Sequence, residues 1–167
     1  ISGGFIIRAG TLALACGARR SELHALVRNP LPRVLRDPSS GAQTMELRVY
    51  PGFVAKNQLP DTVFQPFMVP SLHHLVPGEV ERFLCPVRAV SLYLERTTDP
   101  DFLKDRRALL LHFNPSVSKT KASHVSQWIV DAIVTAYKNL DNELLQRHQV
   151  NAHEVRAIAN SLSYFNN

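Results

Sequence analysis

Cysteine and long apolar runs are both scarce in this sequence of 167 residues. Only two cysteines occur, Cys16 and Cys85, and they form no CxxC pair. A disulfide scaffold and a thiolate zinc site are therefore not predicted, and a reducing, intracellular setting fits best. No apolar run reaches the roughly 18 to 20 residues of a membrane-spanning helix, so we expect no membrane partner.

Metal-ligand spacing is also missing among the seven histidines. They form no HExxH motif, and none stands at zinc-ligand spacing from a cysteine. A zinc site is therefore not predicted. An initiator methionine is lacking too, and from this we expect the chain to be a fragment of a longer protein.

Basic residues are what the sequence has in excess. Lysine and arginine number 19 against 14 acidic residues, which gives a net charge of +5. This balance favours a polyanionic partner such as nucleic acid. The apolar content of 45% and the charged content of 20% are ordinary for a globular protein, and the length fits one domain over residues 1–167.

The first part of the chain predicts two helices separated by a glycine. Apolar residues from Phe5 to Cys16 recur at steps of three and four, which is typical of a helix. Gly17 is predicted to end this helix as a C-cap glycine. Ser21 is predicted to cap a second, short helix, SELHAL, which Asn29-Pro30 ends.

Residues 31–69 predict a small antiparallel sheet. Three short extended runs, PRVLR, MELRVY and VFQPFMV, are separated by the turn DPSSG and by the loop PGFVAKNQLPD. Because a proline cannot donate to a neighbouring strand, Pro66 predicts that the third run is an edge strand.

Helical patterns return after residue 85. Pro86 suits a first helical position, and an apolar stripe beginning at Val87 follows it. The run ALLLHF predicts a buried strand or another buried extended segment. An amphipathic helix is expected over 125–136, and a last helix over roughly 152–164. The predicted class is α+β, mainly α-helical, with a small three-stranded antiparallel sheet.

Three short motifs carry candidate chemistry. GARRSEL places Arg19 at the junction of the first two helices, and FVAKNQ places Lys56 on the loop between two predicted strands. In AHEVR, His153 and Arg156 are three residues apart and therefore emerge from one face of a helix. Each motif alone is common on protein surfaces, so the order of the three along the chain is what carries information.

In that order the motifs resemble the catalytic domain of tyrosine recombinases, the phage-integrase family. The family carries an arginine in a Gly-x-Arg-x-Ser-Glu-Leu context, a lysine on a β-hairpin, a His-x-x-Arg box and then a nucleophilic tyrosine. The stretches RRSELHAL, FVAKNQ and AHEVR look most like recombinases of eukaryotic mobile elements of the DIRS and Crypton types. The resemblance covers nearly the whole chain. It implies a recombinase-like fold, double-stranded DNA as the partner, self-association on DNA, and a nuclear location in a eukaryote.

The resemblance also implies a role for each matched residue. Arg19 and Arg156 bind the scissile phosphate, Lys56 is the general acid for the leaving 5′ oxygen, and His153 assists. These residue types suit the chemistry, because attack at phosphorus places negative charge on oxygens that guanidinium groups bind bidentately. The energy of the broken bond is conserved in a 3′-phosphotyrosyl linkage, so neither a cofactor nor a small-molecule substrate is expected.

The nucleophilic tyrosine of the family is not matched. Tyr164 is the only tyrosine after the His-x-x-Arg box, and it follows Arg156 by eight residues on the same predicted helix. In the family the nucleophile lies on a later helix. We therefore expect Tyr164 to be a packing residue. We also expect the chain to stop before the nucleophile and to lack the N-terminal domain that closes around DNA.

Four of the singled-out residues have a second interpretation. Arg20 is an alternative candidate for the arginine position, and Lys56 is otherwise an ordinary exposed hairpin lysine. Glu22 is expected to be a structural partner of an arginine or a helix-start charge rather than an acid catalyst. Trp128 is expected to lie in the core rather than to stack on DNA.

Two other functions stay open for the chain as a whole. One is a domesticated, catalytically inactive recombinase remnant that binds DNA or protein. The other is a generic helical interaction domain, in which the matched basic residues and the histidine do not converge in space.

Overall fold

The structure is a computed structural model that describes residues 12–56, 58–59, 61–73, 78–79, 84–98, 107–111, 120–138, 151, 154–155, 157–159 and 161. Its helices are α1 (Arg20–Ala25), α2 (Pro86–Arg96) and α3 (Ala122–Lys138), and its strands are β1 (Arg33–Arg36), β2 (Gln43–Leu47) and β3 (Phe67–Pro70). Residues 12–16 and the described residues between 154 and 161 are also helical.

Gly17 separates the helical residues 12–16 from α1. Its φ of +55° lies in the left-handed region that glycine adopts without steric cost, and its N–H donates to the carbonyl of Leu14 at 3.3 Å. The predicted C-cap glycine is confirmed. The predicted cap of the next helix is wrong, because Arg19 rather than Ser21 is the N-cap residue, and Ser21 lies exposed inside the first turn.

The three strands form one antiparallel sheet in the order β1-β2-β3. The chain reverses between β1 and β2 through residues 37–42, where the N–H of Asp37 donates to the carbonyl of Ala42 at 2.9 Å. Leu47 stands opposite Phe67 in the pairing of β2 with β3. The predicted three-stranded antiparallel sheet is confirmed. The third strand is at an edge, as expected, although Pro66 precedes it rather than lying within it.

One hydrophobic core joins the sheet to the helices. Met45 and Val69 are directly paired across β2 and β3, and both are buried. Each such side chain contributes about 1.5–3 kcal/mol to stability when it is fully removed from water. Trp128 packs against this core, as predicted. The core also contains Leu12, Ala13, Ala18, Leu23, Leu26, Leu47, Cys85, Val87, Val90, Leu109, Val125, Ile129 and Val155.

The two longer helices lie where the apolar pattern predicts them. α2 begins at Pro86, since the missing N–H of proline is no loss at a first helical position, and it packs against β3. α3 buries Val125 and Ile129, which are one helical turn apart, and packs against α1.

Residues 26–28 continue from α1 as an extended segment between two other parts of the chain. On one side the N–H of Val27 donates to the carbonyl of Arg48 at 2.9 Å. On the other side the N–H of Leu109 donates to the carbonyl of Leu26 at 2.7 Å. Of the predicted buried extended segment ALLLHF, Ala108 pairs with Val27 as an isolated bridge, and Leu109 and Leu111 are buried.

Several sequence predictions fall on residues outside the described part of the chain. These are the first helix before Leu12, the last helix around Tyr164, and the side chains of His153 and Arg156. Within the described residues, no helix combines the length and the apolarity needed to cross a membrane.

Candidate functional site

Arg19 occupies the start of α1, directly after the buried Ala18. Its backbone N–H donates to Oε2 of Glu22 at 2.6 Å, and its carbonyl accepts the N–H of Leu23 at 3.0 Å. The first of these bonds is the carboxylate half of a capping box. The other half is missing, since a guanidinium group has no acceptor atom. Glu22 therefore fixes the backbone at which the arginine side chain begins.

The same carboxylate also holds the arginine side chain. Nη1 of Arg19 lies 3.8 Å from Oε1 of Glu22, and the two side chains are 23% and 8% exposed. Glu22 thus binds both the backbone and the side chain of Arg19, which confirms its prediction as a structural partner. The part of the guanidinium that faces solvent can still accept an anion in a bidentate fork.

Arg20 differs from its neighbour in its surroundings. It is the first residue of α1, its side chain is exposed, and it forms no ion pair with any described residue. An exposed arginine that no partner holds keeps its rotamer freedom, which costs free energy when a ligand orders it. Of the two adjacent arginines, Arg19 is the better fixed.

Lys56 lies in the connection between β2 and β3, at the position that the sequence predicts. It stands in a turn closed by the N–H of Gln58, which donates to the carbonyl of Ala55 at 3.0 Å. The side chain of Gln58 reinforces the turn by accepting the N–H of Ala55 at 3.0 Å. Lys56 itself is exposed and forms no ion pair with the described carboxylates, so its ammonium group is accessible to an external anion.

A row of four aromatic rings supports the base of this connection. Tyr50 meets Phe53 edge to face with ring centroids 5.6 Å apart, and Phe53 meets Phe64 in the same way at 5.2 Å. Phe64 then contacts Phe67, the first residue of β3, at 5.4 Å. Pairs of this kind contribute about 0.5–1.5 kcal/mol each beyond the burial of area. The row joins the two ends of the loop that carries Lys56.

The base of the Lys56 loop is hydrogen-bonded to the end of α1. The N–H of Tyr50 donates to the carbonyl of Ala25 at 3.0 Å, and Ala25 is the last residue of the helix that Arg19 caps. A six-residue helix is about 9 Å long at 1.5 Å per residue. One short rigid element therefore connects the start of the arginine motif to the beginning of the lysine loop.

The third motif, His153 and Arg156, lies outside the described residues, but its flanks are described. Asn151 and Glu154 form a capping box, since Oδ1 of Asn151 accepts the N–H of Glu154 at 3.3 Å and Oε2 of Glu154 accepts the N–H of Asn151 at 3.4 Å. Val155 is 5% exposed and belongs to the same core as Ala18. The residues adjoining Arg19 and Arg156 in sequence are therefore parts of one core.

Two features near these motifs had a sequence signal that the interpretation of the motifs did not use, and a third had none. The patterns R-R-S-E and N-A-H-E both place a glutamate three residues after a helix cap, which is the signature of a capping box. His24 has no comparable signal. Its Nε2 donates to the carbonyl of Thr120 at 2.8 Å, so it joins α1 to the residues that precede α3, and only the folded structure brings them together.

Among the described residues, neither a reactive cysteine nor a metal site lies near Arg19. Cys16, three residues before Arg19, is a free thiol, and burial raises its pKa to about 12. A thiol with so high a pKa stays protonated at neutral pH and is a poor nucleophile. Among the described residues, no three histidine, cysteine, aspartate or glutamate side chains come together as a metal site.

Comparison with known proteins adds no relative to this description. No family model matches the chain, no curated protein matches it, and no solved structure matches it. The interpretation of the site therefore depends on the chemistry of its own residues and on the order of the three motifs.

Proposed function

We propose that this chain is the DNA-binding catalytic core of a site-specific recombinase of the tyrosine-recombinase type. In this proposal the substrate is double-stranded DNA, and the reaction is strand cleavage and religation through a 3′-phosphotyrosine. The N-terminal domain that clamps DNA and the segment that carries the nucleophile belong to the intact protein. The recombinase-like fold is part of the same proposal.

The observation that supports it best is the way Arg19 is held. A guanidinium that stabilises a transition state has to be oriented before the reaction, because electrostatic stabilisation is strongest where no reorganisation is needed. Glu22 accepts the backbone N–H of Arg19 and forms an ion pair with its side chain. The residue before Arg19, Ala18, is buried in the core. An arginine restrained in this way is suited to binding the oxygens of a phosphate.

The position of Val155 gives a second, weaker support. It belongs to the core that contains Ala18, and it is the residue before Arg156 in the His-x-x-Arg box. The residues that precede Arg19 and Arg156 in sequence thus belong to one core, which is compatible with a phosphate site shared by the two arginines.

The proposed mechanism assigns one step to each residue. Arg19 and Arg156 bind the non-bridging oxygens of the scissile phosphate as the tyrosine oxygen attacks phosphorus. The bond from phosphorus to the 5′ oxygen breaks, and Lys56 donates the proton that the leaving oxygen takes up. His153 hydrogen-bonds the phosphate or accepts the proton of the tyrosine. Reversal of the same steps with another 5′ hydroxyl religates the strand.

Binding of a fluorescent DNA duplex, measured by anisotropy over a range of salt concentrations, tests the proposal. Phosphate neutralisation predicts that log K falls linearly with log salt, with a slope of about −0.9 per phosphate contact. Arg19→Ala should lower the affinity modestly and make the slope shallower by about 0.9, because one contact among several is lost. Arg20→Ala should change both quantities less, although the two arginines are neighbours.

Two results would contradict the proposal. One is the absence of duplex binding at low salt, and the other is binding that does not respond to salt. Arg19→Lys separates charge from geometry, since lysine keeps the positive charge and loses the planar fork. We expect it to retain most of the salt slope and to lose most of the cleavage activity of the intact protein.

A further inference from the structure

β1 is an edge strand whose four residues, Arg33 to Arg36, are all exposed. It begins and ends with an arginine, and Val34 and Leu35 lie between them. Neither Arg33 nor Arg36 forms an ion pair or a side-chain hydrogen bond with any described residue. Within the described part of the chain, the two positive charges on this edge of the sheet therefore have no ion-pair partner.

The carboxylates closest to these arginines along the sheet are engaged elsewhere. Glu46 is paired with Arg33 in the register of β1 and β2, but its carboxylate forms an ion pair with Arg48, two residues further along the chain. Asp37 follows Arg36 directly, and its carboxylate accepts hydrogen bonds from the hydroxyl groups of Ser39 and Ser40. Neither carboxylate forms an ion pair with an arginine of β1, although the ionised Asp37 follows Arg36 directly in sequence.

The sequence of β1 disfavours two other partners for this edge, namely β1 of a second copy and an added peptide strand. If β1 paired antiparallel with β1 of a second copy, Arg33 would face Arg36 of that copy, and like charges directly opposite are destabilising. A strand of four residues with charged ends is also a poor template for adding a peptide strand. The guanidinium groups, rather than the backbone, are the binding groups of this edge.

We propose that β1 is an additional phosphate-binding edge, at which Arg33 and Arg36 contact the backbone of duplex DNA. This inference rests on the proposed function, because it assumes DNA as the ligand. Arg33 and Arg36 are three residues apart in the strand, so their side chains leave it on opposite faces, and each guanidinium contacts a phosphate on its own side of the edge. Arginine binds phosphate through a bidentate fork.

The test compares two double variants in the same salt series on a DNA duplex. Arg33→Ala with Arg36→Ala removes the proposed contacts and should make the salt slope shallower by about 1.8, that is, about 0.9 for each lost phosphate contact. Arg88→Ala with Arg96→Ala is the matched control. These arginines are also exposed and lie on α2, which packs against β3 at the opposite side of the sheet, and their removal should change the slope less.

Arg33→Lys with Arg36→Lys keeps the charge and should keep most of the slope, which separates lost charge from a damaged sheet. Urea denaturation of every variant shows whether the sheet is intact. If the wild-type chain binds duplex and the alanine pair behaves like the control pair, this inference is wrong and the proposed function stands. If the wild-type chain does not bind duplex at low salt, the proposed function itself is wrong. Tighter binding of polyglutamate than of duplex, lost in the alanine pair, would overturn the assignment to DNA.

Discussion

Glu22 binds Arg19 twice, with Oε2 accepting the arginine backbone N–H at 2.6 Å and Oε1 lying 3.8 Å from Nη1 of its side chain. The carboxylate is buried, whereas the arginine keeps part of its surface exposed. One side chain therefore caps the start of α1 and also lies within ion-pair distance of the guanidinium group. Because the pair is three residues apart in sequence, the arrangement is local and forms together with the helix.

Replacing Glu22 should separate these two contributions. Glu22→Ala removes the acceptor and the charge, and we expect it to lower the free energy of unfolding by about 1–2 kcal/mol, within the range of lost helix caps. Glu22→Gln keeps an oxygen that can accept the N–H of Arg19 and should cost less. Glu154→Ala is the matched control, since Glu154 caps a helix through Asn151 and is itself exposed. Urea denaturation measures all three, and an equal cost for the Ala and Gln variants would contradict this account.

Tyr93 makes a buried hydrogen bond with the backbone of Leu111. Its hydroxyl oxygen accepts the N–H of Leu111 at 2.8 Å, and the ring is 5% exposed. Tyr93→Phe leaves that N–H without this partner in a buried position, which should cost about 1–3 kcal/mol in stability. Tyr50→Phe is the control, because Tyr50 is 46% exposed and its hydroxyl can be replaced by water. A loss below about 0.5 kcal/mol for Tyr93→Phe, typical of ordinary surface positions, would show that the bond is not needed.

Phe64 is one of the two inner rings in the row of four that closes the Lys56 loop. Phe64→Ala removes its contacts with both Phe53 and Phe67, and two such pairs are together worth about 1–3 kcal/mol. We expect faster hydrogen exchange at the backbone amide of Gln58, which closes the lysine turn. Val63→Ala, the neighbouring position with 81% exposure, should leave exchange unchanged. Unchanged exchange in Phe64→Ala would mean that the turn is held without the aromatic row.

Asp37 should titrate at unusually low pH. A hydrogen bond from the Ser40 hydroxyl and two from Ser39, through its N–H and its hydroxyl, lower the pKa of Asp37 to about 2. Because the folded pKa lies below the value of about 3.9 in an unfolded chain, this interaction stabilises the fold above pH 4. Its contribution is lost as the pH falls from about 4 towards 2.

Ser40→Ala should raise the pKa of Asp37 towards its ordinary value, because the Ser40 hydroxyl makes the largest contribution. Titration of the Asp37 carboxyl carbon by NMR measures the shift directly. Ser71→Ala, at a serine that makes no contact with Asp37, should leave the titration unchanged. A pKa near 3.9 in the wild-type chain would show that the turn does not bind the carboxylate in solution.

The coarse fold was predictable because its signals are local. Gly17, Pro86 and the apolar periodicity of α3 each act through residues within one or two turns, and the structure agrees with all three. The limits of β2 were not predictable in the same way. The sequence predicts a strand over 45–50, whereas β2 covers Gln43–Leu47. After Leu47 the chain pairs with the segment that follows α1, and this nonlocal pairing leaves no periodic signal.

The start of α1 shows a competition between two local signals. Serine is among the best N-cap residues, so the sequence favours Ser21. From that start the third helical residue would be His24, which supplies no carboxylate. A start at Arg19 brings Glu22 to the third position, where it accepts the free backbone N–H and pairs with the arginine. The bond from Glu22 therefore decides where the helix starts, although serine is the better cap residue. The same bond fixes the backbone of Arg19, the candidate catalytic residue.

Covalent trapping on DNA tests the proposed function most directly. The protein in its natural sequence context would be incubated with a nicked duplex, from which the short cleaved fragment diffuses away, and the adduct separated on a denaturing gel. We expect an adduct in the wild-type protein and in Arg20→Ala and Tyr164→Phe. In Arg19→Ala and Arg156→Ala it should form about 10²–10³ times more slowly, the cost of losing a group that stabilises the transition state. An intact, DNA-binding protein that forms no adduct, or one that forms it equally well without Arg19, would contradict the assignment of this chain as a recombinase core.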